Sequence, residues 1–197
     1  MEPQNLIAKA LAQVCRVFDE RDWRYCLIGG LAAAHWGEPR FTKDVDVVLL
    51  ADIDDEPQII ADILSEFRPR IEDAAQFARL NRVLLVATDG GIPIDVSFGS
   101  LPFESQMLER TVRTTVLPGA EAPTATAEDV IVMKSIAGRP QDVKDIEGIL
   151  ASQCEALDLD YVRFWLGDLA ELWVENDLLG TFDEIERTVR KRLRDRS

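Results

Sequence analysis

Histidine and cysteine are scarce in this chain. Its 197 residues include one histidine, His35, and three cysteines, Cys15, Cys26 and Cys154. An odd number of cysteines without Cys-x-x-Cys spacing argues against a disulfide framework or a zinc site, and it fits a reducing cytoplasm. Long apolar runs are missing too. No stretch is long and apolar enough to span a bilayer, so no membrane partner is expected. The opening MEPQNLIAKALAQVC is polar and acidic, unlike a secretory signal. Positive charge is in short supply, with 22 Lys and Arg against 36 Asp and Glu and a net charge of -14. A protein that coats nucleic acid needs a basic surface, so the balance argues against that class. The one basic stretch, RTVRKRLRDRS, reads as a solvated helix end favoured by the macrodipole. Ser97 and Ser135 have no histidine partner in sequence context, so a nucleophilic triad is not supported.

What remains is an ordinary globular composition, 47% hydrophobic and 29% charged. That suffices for a core without metals or disulfides, in one domain or one domain with a helical appendage. Apolar residues Leu6, Ile7, Ala10, Leu11, Val14, Val17 and Phe18 recur at helical spacing and predict a helix over 5–21. Strands are expected at 25–28 and 44–50, separated by Gly29-Gly30 and a short alanine-rich helix that Gly37 ends. A helix with Pro57 in its first turn follows, and EDAAQFARL continues helical. The runs 82–87 and 92–98 flank TDGGIP, a strong signal for an antiparallel hairpin. PFESQMLER suggests a helical turn and TVRTTVL a further strand. Thr126 and Asp129 resemble a capping box that opens the helix AEDVIVMKSIAG, ended by Gly138, and Pro140 starts the next. Beyond Asp158 the chain reads as helices, with Phe164, Leu166, Leu169, Leu172 and Trp173 as an apolar stripe and Trp165 and Trp173 most simply in the core. The expectation is an α/β (α+β) fold, a mixed-sheet core over 1–117 and a mainly helical part over 118–197.

Two aspartates interrupt the second strand. Side chains two apart on a strand share a face, with Cα atoms about 6.6 Å apart. Asp44 and Asp46 therefore point the same way, and Arg40 and Thr42 join them if the strand extends backward. A third isolated acid, Asp95, lies on the later strand IPIDVSF. Should the two strands be neighbours, three carboxylates meet at one place. Their mutual repulsion calls for a cation. Mg²⁺ suits the place, because it takes hard oxygen ligands and commonly combines one or two carboxylates with substrate phosphates. Two such ions could serve an in-line displacement. An exposed sheet face is the simpler account of any one aspartate, but for three acids within apolar strands the metal reading is preferred. Gly29-Gly30, between strand and helix, could let backbone N–H groups approach a phosphate, although a plain turn explains it equally well. His35, between alanines and a tryptophan, is read as a packing or surface residue.

LIGG, then RFTKDVDVVL, then IDV together resemble the nucleotidyltransferase superfamily, whose fold is that of DNA polymerase β. Gly29, Gly30, Asp44, Asp46 and Asp95 match the pattern in order and element type, over about Trp23 to Phe98. The stretch TAEDVIVMKSIAGRPQDVKDIEGIL resembles AbiEii-type toxins and their relatives at Lys134, Arg139, Asp142 and Asp145. The resemblance implies transfer of a nucleoside monophosphate from an NTP. Asp44, Asp46 and Asp95 would be catalytic and hold Mg²⁺, two ions when NTP is bound, with Mn²⁺ as a substitute. Gly29, Gly30, Arg40, Thr42 and Lys134 would contact the nucleotide, with Arg139, Asp142 and Asp145 in support. Asp142 and Asp145, three apart on a helix, could equally pair with cations to fix two helices. For the acceptor the toxin resemblance implies tRNA, with a cognate antitoxin as partner. A small molecule such as an antibiotic hydroxyl is the alternative acceptor, and a noncatalytic nucleotide-binding module is the alternative from another class.

Overall fold

The computed structural model describes residues 3–172 and 177–195. The chain forms two compact units, 1–31 with 41–125, and 32–40 with 126–197.

The first unit is built on a seven-stranded mixed sheet, with strands β1 (Tyr25–Leu27), β2 (Val45–Leu50), β3 (Arg68–Pro69), β4 (Val83–Ala87), β5 (Pro93–Gly99), β6 (Val112–Leu117) and β7 (Ala120–Thr124). Their order across the sheet is β3-β4-β5-β2-β1-β7-β6. Two pairs are parallel, β2 with β5 and β1 with β7, and the remaining neighbours are antiparallel. The expected hairpin is present between β4 and β5, closed by the Thr88 amide donating to the Ile92 carbonyl at 3.0 Å. A second hairpin joins β6 to β7 through Pro118-Gly119. Gly119 has φ 77°, which a side chain would strain.

Alternation along the strands decides which face is core. Val45, Val47 and Leu49 of β2, Ile94, Val96 and Phe98 of β5, and Leu84 and Val86 of β4 are all buried. They share one cluster with Ile7, Leu11, Val14 and Phe18 of helix α1 (Pro3–Asp19). Ile60 and Ile63 of α3 (Glu56–Glu66) and Ala78 of α4 (Ala74–Asn81) complete it. The intervening Asp46, Leu85 and Asp95 are only half-buried, on the opposite face. Helix α5 (Pro102–Glu109) packs against β2.

Between β1 and β2 runs helix α2 (Gly29–Trp36), and the division between units falls inside it. The second unit otherwise contains α6 (Ala127–Ala137), α7 (Pro140–Gln153), a 3-10 turn at Cys154–Ala156, α8 (Leu159–Ala170) and α9 (Leu178–Arg194). Thr126 caps α6 as expected, its hydroxyl accepting from the Asp129 amide at 3.3 Å. Gly138 ends that helix at φ 62°. The anticipated stripe on α8 is only partly inward. Val162, Trp165, Leu166 and Leu169 are buried, whereas Phe164 and Leu172 are exposed and Trp173 lies outside the described residues. Residue 164 lies about 200° around the helix from 162, hence on the far side. Among the described residues no helix is long and apolar enough to cross a membrane.

Candidate active site

The parallel register of β2 and β5 sets Asp46 directly opposite Asp95. Neighbouring strands run about 4.8 Å apart and paired side chains share a face, so the two carboxylates stand side by side. Asp44 precedes β2 by one residue. Its Oδ1 accepts a 2.9 Å hydrogen bond from the Thr42 hydroxyl, which also donates to the Asp44 carbonyl at 3.3 Å. The strand does not extend back to Thr42 or Arg40. Both sit in the segment ahead of it, so Thr42 reaches the acids by hydrogen bonding rather than by strand alternation.

The Gly-Gly turn is built around Asp46. Gly29 has φ 65°, and a Cβ placed there would lie 2.0 Å from Asp46 Oδ2 and 2.6 Å from its Cβ. Only glycine leaves that volume to the carboxylate. The Gly30 amide then points at the same Oδ2 from 3.4 Å, in the first turn of α2. The positive end of α2 thus faces this carboxylate. Behind it, the Ile28 amide donates to the Asp46 carbonyl at 2.9 Å and pins β1 to β2.

Asp95 has a partner that sequence reasoning missed. The Arg70 guanidinium pairs with Asp95 Oδ1. Arg70 follows β3, and its amide donates to the Leu85 carbonyl at 3.0 Å. Leu85 is itself the register partner of Asp95. Arg70, Leu85, Asp95 and Asp46 thus form one row across four chain segments. No local pattern announces this, because β3 is two residues long and includes Pro69.

Among the described residues, no three His, Cys, Asp or Glu side chains form a ready-made metal cage. The donor chemistry nevertheless fits a hard divalent ion. Mg²⁺ needs only one or two carboxylates when phosphate oxygens complete its shell, and Asp44 and Asp46 are half-buried neighbours of that kind.

In the second unit the remaining predicted residues gather elsewhere in the chain. Lys134 is buried, and its Nζ pairs with Asp142 Oδ1 at 2.7 Å and Asp145 Oδ2 at 2.8 Å. Arg40 holds Asp145 with both prongs of its fork, at 2.7 and 2.9 Å. Arg139 donates to Asp142 from its amide and its Nε at 3.1 and 2.7 Å, and Gln141 adds a bond to Asp145 at 3.0 Å. Burial by itself would raise the pKa of both acids. For Asp142 the hydrogen bonds from Arg139 and Lys134 outweigh it, and for Asp145 those from Arg40, Lys134 and Gln141, so both lie below the usual carboxylate value. Asp129, fully buried on α6, takes a 2.6 Å bond from the Tyr161 hydroxyl. His35 rests edge-on against Trp36, and burial lowers its pKa.

The model of one protein family, described as "Nucleotidyl transferase AbiEii toxin, Type IV TA system", matches residues 9–195. The chain belongs to that family. It is accordingly a nucleotidyltransferase enzyme. Solved structures share the AbiEii chain's fold. The antibiotic-resistance factor ANT(2'')-Ia superposes with a TM-score of 0.59 at 15% identity, covering 87% of this chain and 95% of that one. The lincosamide antibiotic adenylyltransferase LnuA, solved with lincomycin bound, gives 0.51 at 13% identity, covering 72% and 94%. No curated protein matches the sequence.

Proposed function

We propose that this chain transfers a nucleoside monophosphate from an NTP to an acceptor hydroxyl, with Asp44, Asp46 and Asp95 as its catalytic acids. The observation that carries the reading is the register of Asp46 on Asp95, with the Gly29-Gly30 turn built against Asp46. Asp44 and Asp46 would hold Mg²⁺ together with Asp95, and the bound ion supplies charge neutralisation at the phosphates. The acceptor oxygen attacks the α-phosphorus. A new O–P bond forms while the bond to the bridging oxygen breaks, and pyrophosphate leaves with the electron pair. Asp95 takes the acceptor proton on its carboxylate. Thr42 and the backbone at Gly29-Gly30 position phosphate oxygens. Lys134, Arg40 and Arg139 we assign to fixing α6, α7 and the end of α2 through Asp142 and Asp145, because their cationic groups are already committed to those acids.

For the acceptor, the toxin family favours tRNA, with a cognate antitoxin. The last turns of α9, with exposed Arg187, Arg190, Lys191, Arg192 and Arg194, offer the cationic stretch an RNA backbone needs. The net charge of -14 favours the second reading, a small cationic acceptor. The test incubates the protein with labelled NTPs, Mg²⁺ and either total tRNA or a panel of aminoglycosides and lincosamides. Label entering one class identifies the acceptor, and a D46N variant that still transfers label overturns the site.

A further inference from the structure

Arg70 raises a question of charge. A face that is to receive a divalent cation already carries a guanidinium on one of its three acids, and the two cations repel each other. Side chains of Arg70 and Asp95 remain 33% and 34% exposed, so the pair is open to exchange with solvent and solutes. Arg70 lies beyond the two-residue strand β3, tied to β4 by its own amide, and its side chain alone spans the row to Asp95. A planar guanidinium binds phosphate as readily as carboxylate, so an arriving polyphosphate gives Arg70 somewhere else to go.

We propose that Arg70 is a positioning residue that couples metal occupancy to nucleotide arrival. Without nucleotide it holds Asp95 Oδ1 and keeps the divalent ion weakly bound. A metal-bound triphosphate draws the guanidinium onto its phosphates and releases the carboxylate. The proposal rests on the reading of Asp44, Asp46 and Asp95 as the metal-binding face.

Mn²⁺ binding to the intact protein, followed by electron paramagnetic resonance, tests it with no turnover involved. Wild type is expected to bind Mn²⁺ alone weakly and to bind it more tightly with a non-hydrolysable NTP analogue. Arg70→Gln removes the positive charge paired with Asp95 and should tighten binding of Mn²⁺ alone by roughly fivefold to tenfold. It should also shrink the added effect of the analogue. Arg70→Lys keeps the charge and should stay within about twofold of wild type. In Asp95→Asn the gain from Arg70→Gln should vanish. If Mn²⁺ affinity depends on Asp46 but is unchanged in Arg70→Gln, the coupling is wrong and the metal face stands. If no variant, with or without analogue, shows Mn²⁺ binding that Asp46→Asn abolishes, both fall. Should Arg70→Gln misfold, as judged by circular dichroism, the wild-type response to the analogue and the Asp95→Asn affinity decide alone. No tightening by the analogue then overturns the coupling.

Discussion

Two sets of aspartates in this molecule carry the same chemistry in opposite settings. Asp142 and Asp145 on α7 are sealed, with side chains 1% and 4% exposed, and Lys134, Arg40, Arg139 and Gln141 converge on them. Asp44, Asp46 and Asp95 stand on a half-open sheet face, and the hydrogen bonds reaching the first two from Thr42 and Gly30 come from neutral donors. Sealed acids with matched cations hold helices together. Open acids set side by side cost stability, and a fold retains that cost where ligands or reactants are to be met.

The contrast can be broken most sharply at Asp46. Asp46→Asn should lower nucleotidyl transfer about a thousandfold, about 4 kcal/mol in the barrier, while the urea midpoint stays put or rises slightly as repulsion is relieved. A large loss of stability instead would move Asp46 into the structural class. Lys134→Met should do the reverse on the other side. It leaves two buried carboxylates short of a cation and should cost about 3–5 kcal/mol in urea unfolding. A mild effect there would mean that Arg40 and Arg139 carry the pairing by themselves.

Gly29→Ala comes next. The left-handed backbone costs about 1–2 kcal/mol for a residue with a Cβ, and the added methyl would push Asp46 aside. Transfer should therefore fall by far more than stability, measured on the same preparation. pH separates the two sets further. Asp142 and Asp145 have folded pKa values below their unfolded ones, so their stabilisation is complete above about pH 4, where the unfolded carboxylates ionise. It is lost as pH falls through the depressed folded values. Thermal melts should show the midpoint dropping steeply in acid for wild type and less steeply for Lys134→Met. The smallest effect is expected at Phe164, exposed on α8, where Phe164→Ser should change stability by about 0.5 kcal/mol or less.

How much of this was legible beforehand follows from which interactions are local. Asp89-Gly90-Gly91 announced the β4–β5 hairpin, and Thr126, Gly138 and Pro140 marked the ends of α6 and α7, because turns and caps are decided within a few residues. The β2–β5 pairing was readable only as a condition, since α3, β3, α4 and β4 intervene in the chain. A parallel neighbour so distant leaves no local trace. Strand β7, Ala-Glu-Ala-Pro-Thr, went unread because its residues favour strands weakly, and its place comes from pairing with β1 and β6. Arg70 could not be foreseen for the same reason as β3. The acid pair itself was plain, because two charges in DVDVVLL break a pattern that burial would otherwise maintain.

The division inside α2 has a practical consequence. The backbone leaves the first unit after Leu31, returns at Phe41 and leaves again after Ala125. No single cut can therefore yield both units whole. A fragment starting at Thr126 would lack residues 32–40, and with them the Arg40 fork on Asp145, the Trp36 carbonyl that Gln153 reaches at 2.7 Å, and Gly37, which lies against Gly148 and Ile149. Expressed alone, that fragment should be poorly folded. Supplying the missing nonapeptide in trans would be expected to recover part of its helicity, much as a split protein is restored by its complement.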